Sequence, residues 1–405
     1  MSKTAAPLEL ASRAEKPLQN TARRVLLVYR KFTSSFIYYP WMLSRAGLEI
    51  DVVCGAKHEI RRSRSLSHVY IADDTDESFY ELVVARLKSG EYGFLLLVDE
   101  PSRGLMYNRE TVDPAIESFL PVLRTNPLAD AFTDKERFQN WCEGHGIPVP
   151  VSRIVKTPGE ALQWAEEWLF PVVLKGTTGM GGAAVIICKD ATELRNGFIQ
   201  LASSTRVMVQ QYISGPVGST AFVALRGKVA AWVASEKYIA LKDGIGPSAV
   251  RRVHAHPELG RIAQQMAAAG EVTGLTGFDW MEIAPGQYVV IDPHIGRCTP
   301  PGAVAHLSGV DFGRAILELI EGRATLQQPR DDSRVIVLFP QVVELILQGG
   351  LLTLLRKASP FHRGVKYYFG PWREMRLSLH VFWSYLRGSA KVTLGAMRSR
   401  LRLAA

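Results

Sequence analysis

Short apolar runs rich in β-branched residues alternate with amphipathic stretches along the first hundred residues of the chain. Val25–Tyr29 (VLLVY), Ile50–Cys54 (IDVVC), His68–Ile71 (HVYI) and Phe94–Val98 (FLLLV) have the length and composition of buried strands. Ser34–Ala46 and Glu77–Lys88, which lie between them, carry helical spacing. This alternation predicts an open α/β sheet. Asp99 and Glu100 follow the fourth run directly. Ligands of such sheets gather beyond the C-terminal ends of the strands, so these two acids either face a cleft or are solvated loop residues.

A second unit begins near Asp130. Asp134–Gly144 is predicted helical, with Thr133 or Asp134 as N-cap and Gly146-Ile147-Pro148 as terminator. Pro158–Glu167, Ala191–Leu201, Pro257–Glu271 and Asp311–Glu321 are further helices. Val172–Lys175 and Ala184–Cys188 are strands joined by a glycine-rich loop, and Val207–Gln211 is another strand. Thr220–Ile239 reads as strand, turn, strand, and Gly277–Ile283 pairs with Gln287–Asp292 across Ala284-Pro285-Gly286. The first 22 residues read as a flexible tail without the apolar stretch of a secretory signal.

Apolar residues make up 47% and charged residues 21% of the 405, an ordinary balance for a folded soluble chain of two to four domains. Cys54, Cys142, Cys188 and Cys298 are widely spaced and form no C-x-x-C pair, which argues against a disulfide framework or a zinc site and for a reducing compartment. No run reaches the roughly 18 apolar residues of a membrane span. Val335–Leu355 comes nearest, but Gln341, Glu344, Gln348 and the Gly349–Gly350 pair interrupt it. The net charge of +9 is concentrated at one end: residues 351–405 hold 11 Lys or Arg against one acid, Glu374, so the other 350 residues sum to −1. The basic character belongs to that segment and not to the body of the chain.

Three clusters can carry chemistry. In Lys175-Gly176-Thr177-Thr178-Gly179-Met180-Gly181-Gly182, a strand delivers a lysine into a loop with four glycines. A lysine is a mobile point charge for a phosphate, and glycines let backbone N–H groups close over phosphate oxygens. It is not a P-loop, because no G-K-[ST] ends it and a strand follows; a plain Gly-rich turn is the alternative. In Gln210-Gln211-Tyr212-Ile213-Ser214-Gly215, a strand ends in polar residues and a glycine, which suits a hinge whose backbone reads an adenine edge. In the third cluster Asp279 and Asp292 stand in paired strands, with His294 two residues on and Arg297 after it. Two buried carboxylates repel unless a cation lies between them, and hard oxygen ligands suit Mg2+ shared with substrate phosphates. The alternative is that Asp292 caps a turn before Pro293 and His294 is a loop residue.

Taken in order, a basic residue on an early helix, a strand Lys with a Gly-rich hairpin, a polar hinge and paired acidic strands resemble the ATP-grasp superfamily. The likeness is to the carboxylate–amine or –thiol ligase type, with a carbamoyl-phosphate-synthase-like ATP-grasp domain. It covers roughly Leu128–Glu321. It implies a Rossmann-like pre-ATP-grasp domain over 23–127 and a two-lobed ATP-grasp domain over 128–325. The small lobe then spans about 135–205 and the large lobe about 206–325. The fold class is thus a multidomain α/β and α+β protein with a helical basic extension over 326–405. The resemblance implies that Lys135 and Lys175 contact phosphates and that Gly176, Thr177, Gly179, Gly181 and Gly182 form the mobile phosphate loop. Gln210, Gln211, Tyr212 and Ile213 correspond to the adenine hinge. Asp279, Asp292 and His294 correspond to the metal ligands, and Arg297 to the arginine that steadies the transferring phosphoryl. ATP with Mg2+, or Mn2+ in its place, would activate a small-molecule carboxylate as an acyl phosphate for an amine or thiol. The chain departs from the family pattern at Asp292, where a longer Glu is usual, at His294 in place of Asn, and at Gly218-Ser219, where an acid often holds the ribose. A non-catalytic nucleotide-binding protein and an ATP-dependent kinase are the rival readings.

Asp99, Glu100 and the loop to Arg103 are expected as substrate walls. Gly244–Ser248 is expected as a second lid, with Arg251 and Arg252 either holding a substrate carboxylate or forming a solvated charge pair. In the C-terminal segment Trp372, Met375, Leu379, Phe382, Trp383 and Leu386 fall on near-helical spacing among Arg373, Arg376, Arg387 and Lys391. Such a helix can lie on an anionic membrane surface, dock onto the protein body or join a second copy in a homo-oligomer. No base-reading motif accompanies the charge, which argues against nucleic acid. The expected location is cytoplasmic, with peripheral attachment to the inner face of the membrane as the consequence of the lipid reading.

Overall fold

A computed structural model of the chain describes residues 22–31, 36–178, 184–242, 245–296, 302–330 and 333–387. Three sheets organise them. The first is a parallel sheet of order β3-β2-β1-β4, built from β1 (Arg24–Tyr29), β2 (Glu49–Gly55), β3 (His68–Ala72) and β4 (Phe94–Leu97). Strands β1, β2 and β4 are apolar on both faces because both faces are covered, whereas the edge strand β3 is largely exposed. Leu26, Val28, Leu95 and Leu97 enter one core, and Val25, Leu27, Phe94 and Leu96 enter another.

The second sheet, of order β5-β8-β6-β7, contains β5 (Ser152–Val155), β6 (Val172–Gly176), β7 (Val185–Cys188) and β8 (Val207–Gln211). It has its own core around Trp164, Leu174, Phe198 and Val209, under the helices Pro158–Trp168 and Ala191–Ala202. The third sheet has seven strands in the order β13-β12-β9-β10-β11-β14-β15. These are β9 (Val217–Leu225), β10 (Lys228–Lys242), β11 (Ile245–Val253), β12 (Gly274–Ala284), β13 (Gln287–Ile295), β14 (Val335–Leu338) and β15 (Val365–Tyr368). Its inner strands share cores with the first sheet: Phe222 and Trp280 join one, Ala221, Val223 and Val233 the other. The first and third sheets therefore form one continuous body. The four-stranded β5–β8 lobe has a separate core and joins that body through 145–151 and 212–216.

Four expectations change. The segment from 326 is not a helical appendage, because β14 pairs antiparallel with β11 and β15 pairs parallel with β14. The apolar positions of these two strands are too few to show a period; the open edge of β11 makes β14 a strand, and the edge of β14 makes β15 one. The helix over 375–387 seats Leu377 and Val381 in the core that holds β1. Next, β8 belongs to the small sheet, so that lobe extends through Gln211. Residues after Asp99 are helical (Glu100–Tyr107), not a loop. Gly246-Pro247-Ser248 lie within β11 of the long β10–β11 hairpin rather than in a free lid. Cys54, Cys142 and Cys188 are free and buried, as expected of small apolar residues.

Candidate active site

Across the large sheet, Asp292 of β13 pairs with Asp279 of β12, Asp279 with Ser219 of β9, and Ser219 with Ser235 of β10. Directly paired residues share a face, so these four form one polar row. Lys237 and His294 each stand two residues along from a member of the row, which brings them to the same face. Lys237 Nζ lies 2.7 Å from Asp279 Oδ2, and His294 Nε2 lies 2.9 Å from Asp279 Oδ1. Arg251 is buried beside them and donates from Nη1 to Ser219 Oγ at 3.2 Å and Ser235 Oγ at 3.0 Å. Burial alone would push the Asp279 carboxyl up, but Lys237 and His294 outweigh it and hold Asp279 well below the usual carboxylate range.

The sequence required a cation beside the paired aspartates, and in this structure that cation is the ammonium of Lys237. It went unnoticed in an apolar strand, although its signal was available. In Ala234-Ser235-Glu236-Lys237-Tyr238, the period of two puts Ser235 and Lys237 on one face and Glu236 and Tyr238 on the other. Of the expected metal ligands, Asp279 and His294 are bonded to each other, and Asp292 is left as the half-exposed carboxylate. Among the described residues no group of three His, Cys, Asp or Glu side chains converges on a metal position. The donor set suits a divalent ion only when nucleotide phosphates and water complete its shell around Asp292.

Lys175 reaches this face from the small lobe. Its side chain is buried at the end of β6, and burial pulls the ammonium down, Asp292 and Asp279 pull it up, and Lys135 adds to the fall; the result is about 8. Lys135 opens the helix Lys135–Gly144, capped by Asp134. The backbone N–H of Lys135 donates to Thr177 O at 2.9 Å, which ties the helix start to the glycine loop. Thr177 N–H donates to Arg206 O at 3.0 Å, and Thr178 Oγ1 meets Thr205 Oγ1 at 3.1 Å. Gly176 is required by space, since a Cβ there would fall 2.4 Å from Thr205 Cγ2. Gly179, Gly181, Gly182 and Arg297 lie outside the described residues.

In the hinge, Gln210 is buried within β8, Gln211 and Ile213 are half-buried, and Tyr212 is exposed. A Cβ on Gly218 would fall 2.0 Å from the Trp280 ring. This explains why no acid occupies that position. Ser219, next to it, is already bonded to Arg251.

The remaining expected residues are dispersed. Asp99 is not a free substrate ligand. It is buried, accepts from Ser102 N–H at 2.8 Å and Ser102 Oγ at 2.7 Å as a helix N-cap, and accepts from Arg30 N–H at 2.7 Å and Lys31 N–H at 2.9 Å. These four donors fill its oxygens. Glu100 pairs with Arg103 and lines a cavity of about 420 Å³ with Arg30, Asp76, Asn108 and Arg109. Asn108 also lines a second cavity, of about 490 Å³, that reaches Asp134 and Thr178. Arg252 is on the opposite face from Arg251, 3.3 Å from Glu236 Oε2 and stacked 4.0 Å over the Tyr238 ring. Alternation along β11 separates the two arginines, so only Arg251 joins the polar row.

Residues 133–226 match the model of the RimK-like ATP-grasp domain. The carbamoyl phosphate synthase large chain of Pyrococcus furiosus is 33% identical over 85 residues, which are 20% of this chain and 8% of that relative. The matched stretch is thus a small part of that protein. The biotin carboxylase domain of Hydrogenobacter thermophilus 2-oxoglutarate carboxylase, solved with MgADP, ADP and bicarbonate, superposes with a TM-score of 0.59 at 14% identity, over 77% of this chain and 72% of that one. The L-amino acid ligase of Bacillus licheniformis superposes with a TM-score of 0.54 at 16% identity, over 74% of each chain. Residues 133–226 are thus similar to a RimK-like ATP-grasp domain, and the chain shares its fold with these two solved structures.

Proposed function

We propose that the chain is an ATP-dependent ligase that activates a small-molecule carboxylate as an acyl phosphate and transfers the acyl group to an amine. The observation that carries this reading is the approach of Lys175, from the small lobe, to Asp279 and Asp292 of the large lobe, with Lys135 close enough to lower its charge affinity. Lys175 feels the charges of Lys135, Asp279 and Asp292, and Lys237 lies 2.7 Å from Asp279, so three ammonium groups gather near the paired aspartates. Fixed cations of this kind stabilise charge that moves onto a transferring phosphoryl group. Lys135 and Lys175 bind the phosphate chain, and Gln210–Ile213 provide the hinge edge for the base. Asp292 would share a divalent ion with the phosphates; that ion, when bound, neutralises phosphate charge. Lys237 and His294 fix the Asp279 carboxylate, so its position does not depend on the ion. The linked cavities at Asn108 supply the room for the carboxylate and amine substrates.

The neutralisation of Asp279 by Lys237 favours one second reading, a protein that binds nucleotide without turning it over. Calorimetry of ATP binding with and without Mg2+, followed by an ADP-release screen of carboxylate and amine pairs, separates the two. ADP release that requires both substrates and is lost in Asp292→Ala supports the ligase. Mg-dependent binding without release under any pair supports the second reading. Absence of nucleotide binding overturns both.

A further inference from the structure

We propose that the surface formed by residues 351–387 docks this protein onto an anionic lipid bilayer. The argument is independent of the nucleotide reading.

In the terminal helix, Arg376, Leu379, Trp383 and Arg387 are exposed and lie at successive spacings of three and four residues, one face of a helix. The opposite face, Leu377, Ser378 and Val381, is buried. Leu379 is 50% and Trp383 53% exposed, and Trp372, just before the helix, is 86% exposed. The helix Leu351–Ala358 repeats the arrangement: Leu351, Leu352 and Leu355 face outward while Leu354 and Ala358 are buried. Phe361, in the loop that follows, is 95% exposed. Rings connect β15 to the terminal helix, and Tyr367 Oη donates to Ala358 O at 2.8 Å at the end of the other helix. Tyr367 stacks on Phe369, Phe369 meets Phe339, Phe339 stacks on Phe382, and Phe382 meets Trp383, each pair within about 6.2 Å. A stable soluble surface scatters large apolar side chains singly; a connected set of this kind marks a docking face.

Charge decides the occupant. All seven Lys and Arg of 351–387 (Arg356, Lys357, Arg363, Lys366, Arg373, Arg376 and Arg387) are exposed. Glu374, the single acid, is 1% exposed and holds Ser63 Oγ at 2.9 Å and Ser65 Oγ at 2.6 Å. Residues 351–387 themselves therefore present only positive charge to solvent, mixed with Trp, Phe and Leu; beside His380, Glu59 is accompanied by Arg62 and Arg387. An anionic headgroup layer over an apolar interior answers both features. A second copy of the same face would set seven cations against seven. Among the described residues no helix is long and apolar enough to cross a membrane, so the contact is with the surface.

The test is co-sedimentation of the full chain with vesicles of phosphatidylcholine alone and of phosphatidylcholine mixed with phosphatidylglycerol. Binding to the mixed vesicles should exceed binding to the neutral ones at least about tenfold at low salt and fall steeply when salt shortens the screening length. Trp372→Ser with Trp383→Ser should lower it several-fold at unchanged charge, and Arg373→Gln with Arg376→Gln should lower it at unchanged apolar area. All four side chains are on the surface, so circular dichroism should match the wild type. Equal binding to both vesicle types, no binding to either, or binding indifferent to both variant pairs overturns the proposal. Self-association that blocks the tryptophans, or preference for an acidic peptide over the vesicles, overturns it as well.

Discussion

Lys175 offers the sharpest test of the cleft. Its ammonium is buried, with a pKa of about 8 in the nucleotide-free protein. A phosphate chain binds the protonated form. With that pKa, about nine-tenths of the molecules carry the charge at pH 7 and about one-tenth at pH 9. Nucleotide affinity should therefore fall about tenfold between those two pH values. The sign follows from linkage: bound phosphate raises the lysine's pKa, so binding takes up protons, about half a proton near pH 8. Asp292 is the largest influence raising this pKa, so Asp292→Asn should start the fall at lower pH. The same burial costs stability, since the native state holds this proton more weakly than the unfolded chain. Stability should rise with pH between about 8 and the unfolded lysine value of 10.5, by up to roughly 3 kcal/mol from this group. Calorimetry of ADP binding in two buffers of different ionisation enthalpy measures the proton uptake directly. Affinity that stays level across the range, with no proton uptake and no response to Asp292→Asn, would refute the placement of Lys175 against the phosphates.

Three further outcomes follow from the geometry. Lys237→Met leaves Asp279 buried beside His294 alone and should cost roughly 3 kcal/mol in urea unfolding, with much of it recovered when Asp279→Asn is added. Gly218→Ala drives a methyl into the Trp280 ring and should cost about 2 kcal/mol, seen as a lower midpoint of thermal unfolding. Glu374→Ala strands the hydroxyls of Ser63 and Ser65 and the N–H of Arg64; it should cost about 2 kcal/mol and make the terminal helix the first site of limited proteolysis.

The contrast between Asp99 and Lys237 shows how an isolated carboxylate misleads. Asp99 ends an apolar strand, as a cleft residue does, and the sequence cannot tell that four donors already surround it. Lys237 sits in mid-strand, where a charge is costly unless paired, and its partner, Asp279, is 42 residues away in the chain. Arg251 and Arg252 are neighbours in sequence, yet they part to opposite faces once β11 is known to be a strand rather than a lid.

By itself the sequence determined what local physics can encode. The parallel strands β1, β2 and β4 were legible as apolar runs because both their faces are buried. The β6–β7 pair was legible as two apolar runs on either side of a glycine-rich stretch, and the acidic hairpin from its period of two with Ala284-Pro285-Gly286 at the turn. The tertiary structure decided what depends on partners distant along the chain: which cation neutralises Asp279, which arginine faces the row, and what becomes of the basic C-terminal segment. Val335–Leu338 is a strand because the edge of β11 offers it unpaired N–H and C=O groups, and Val365–Tyr368 because β14 then offers its own edge; no pattern of four residues can announce either.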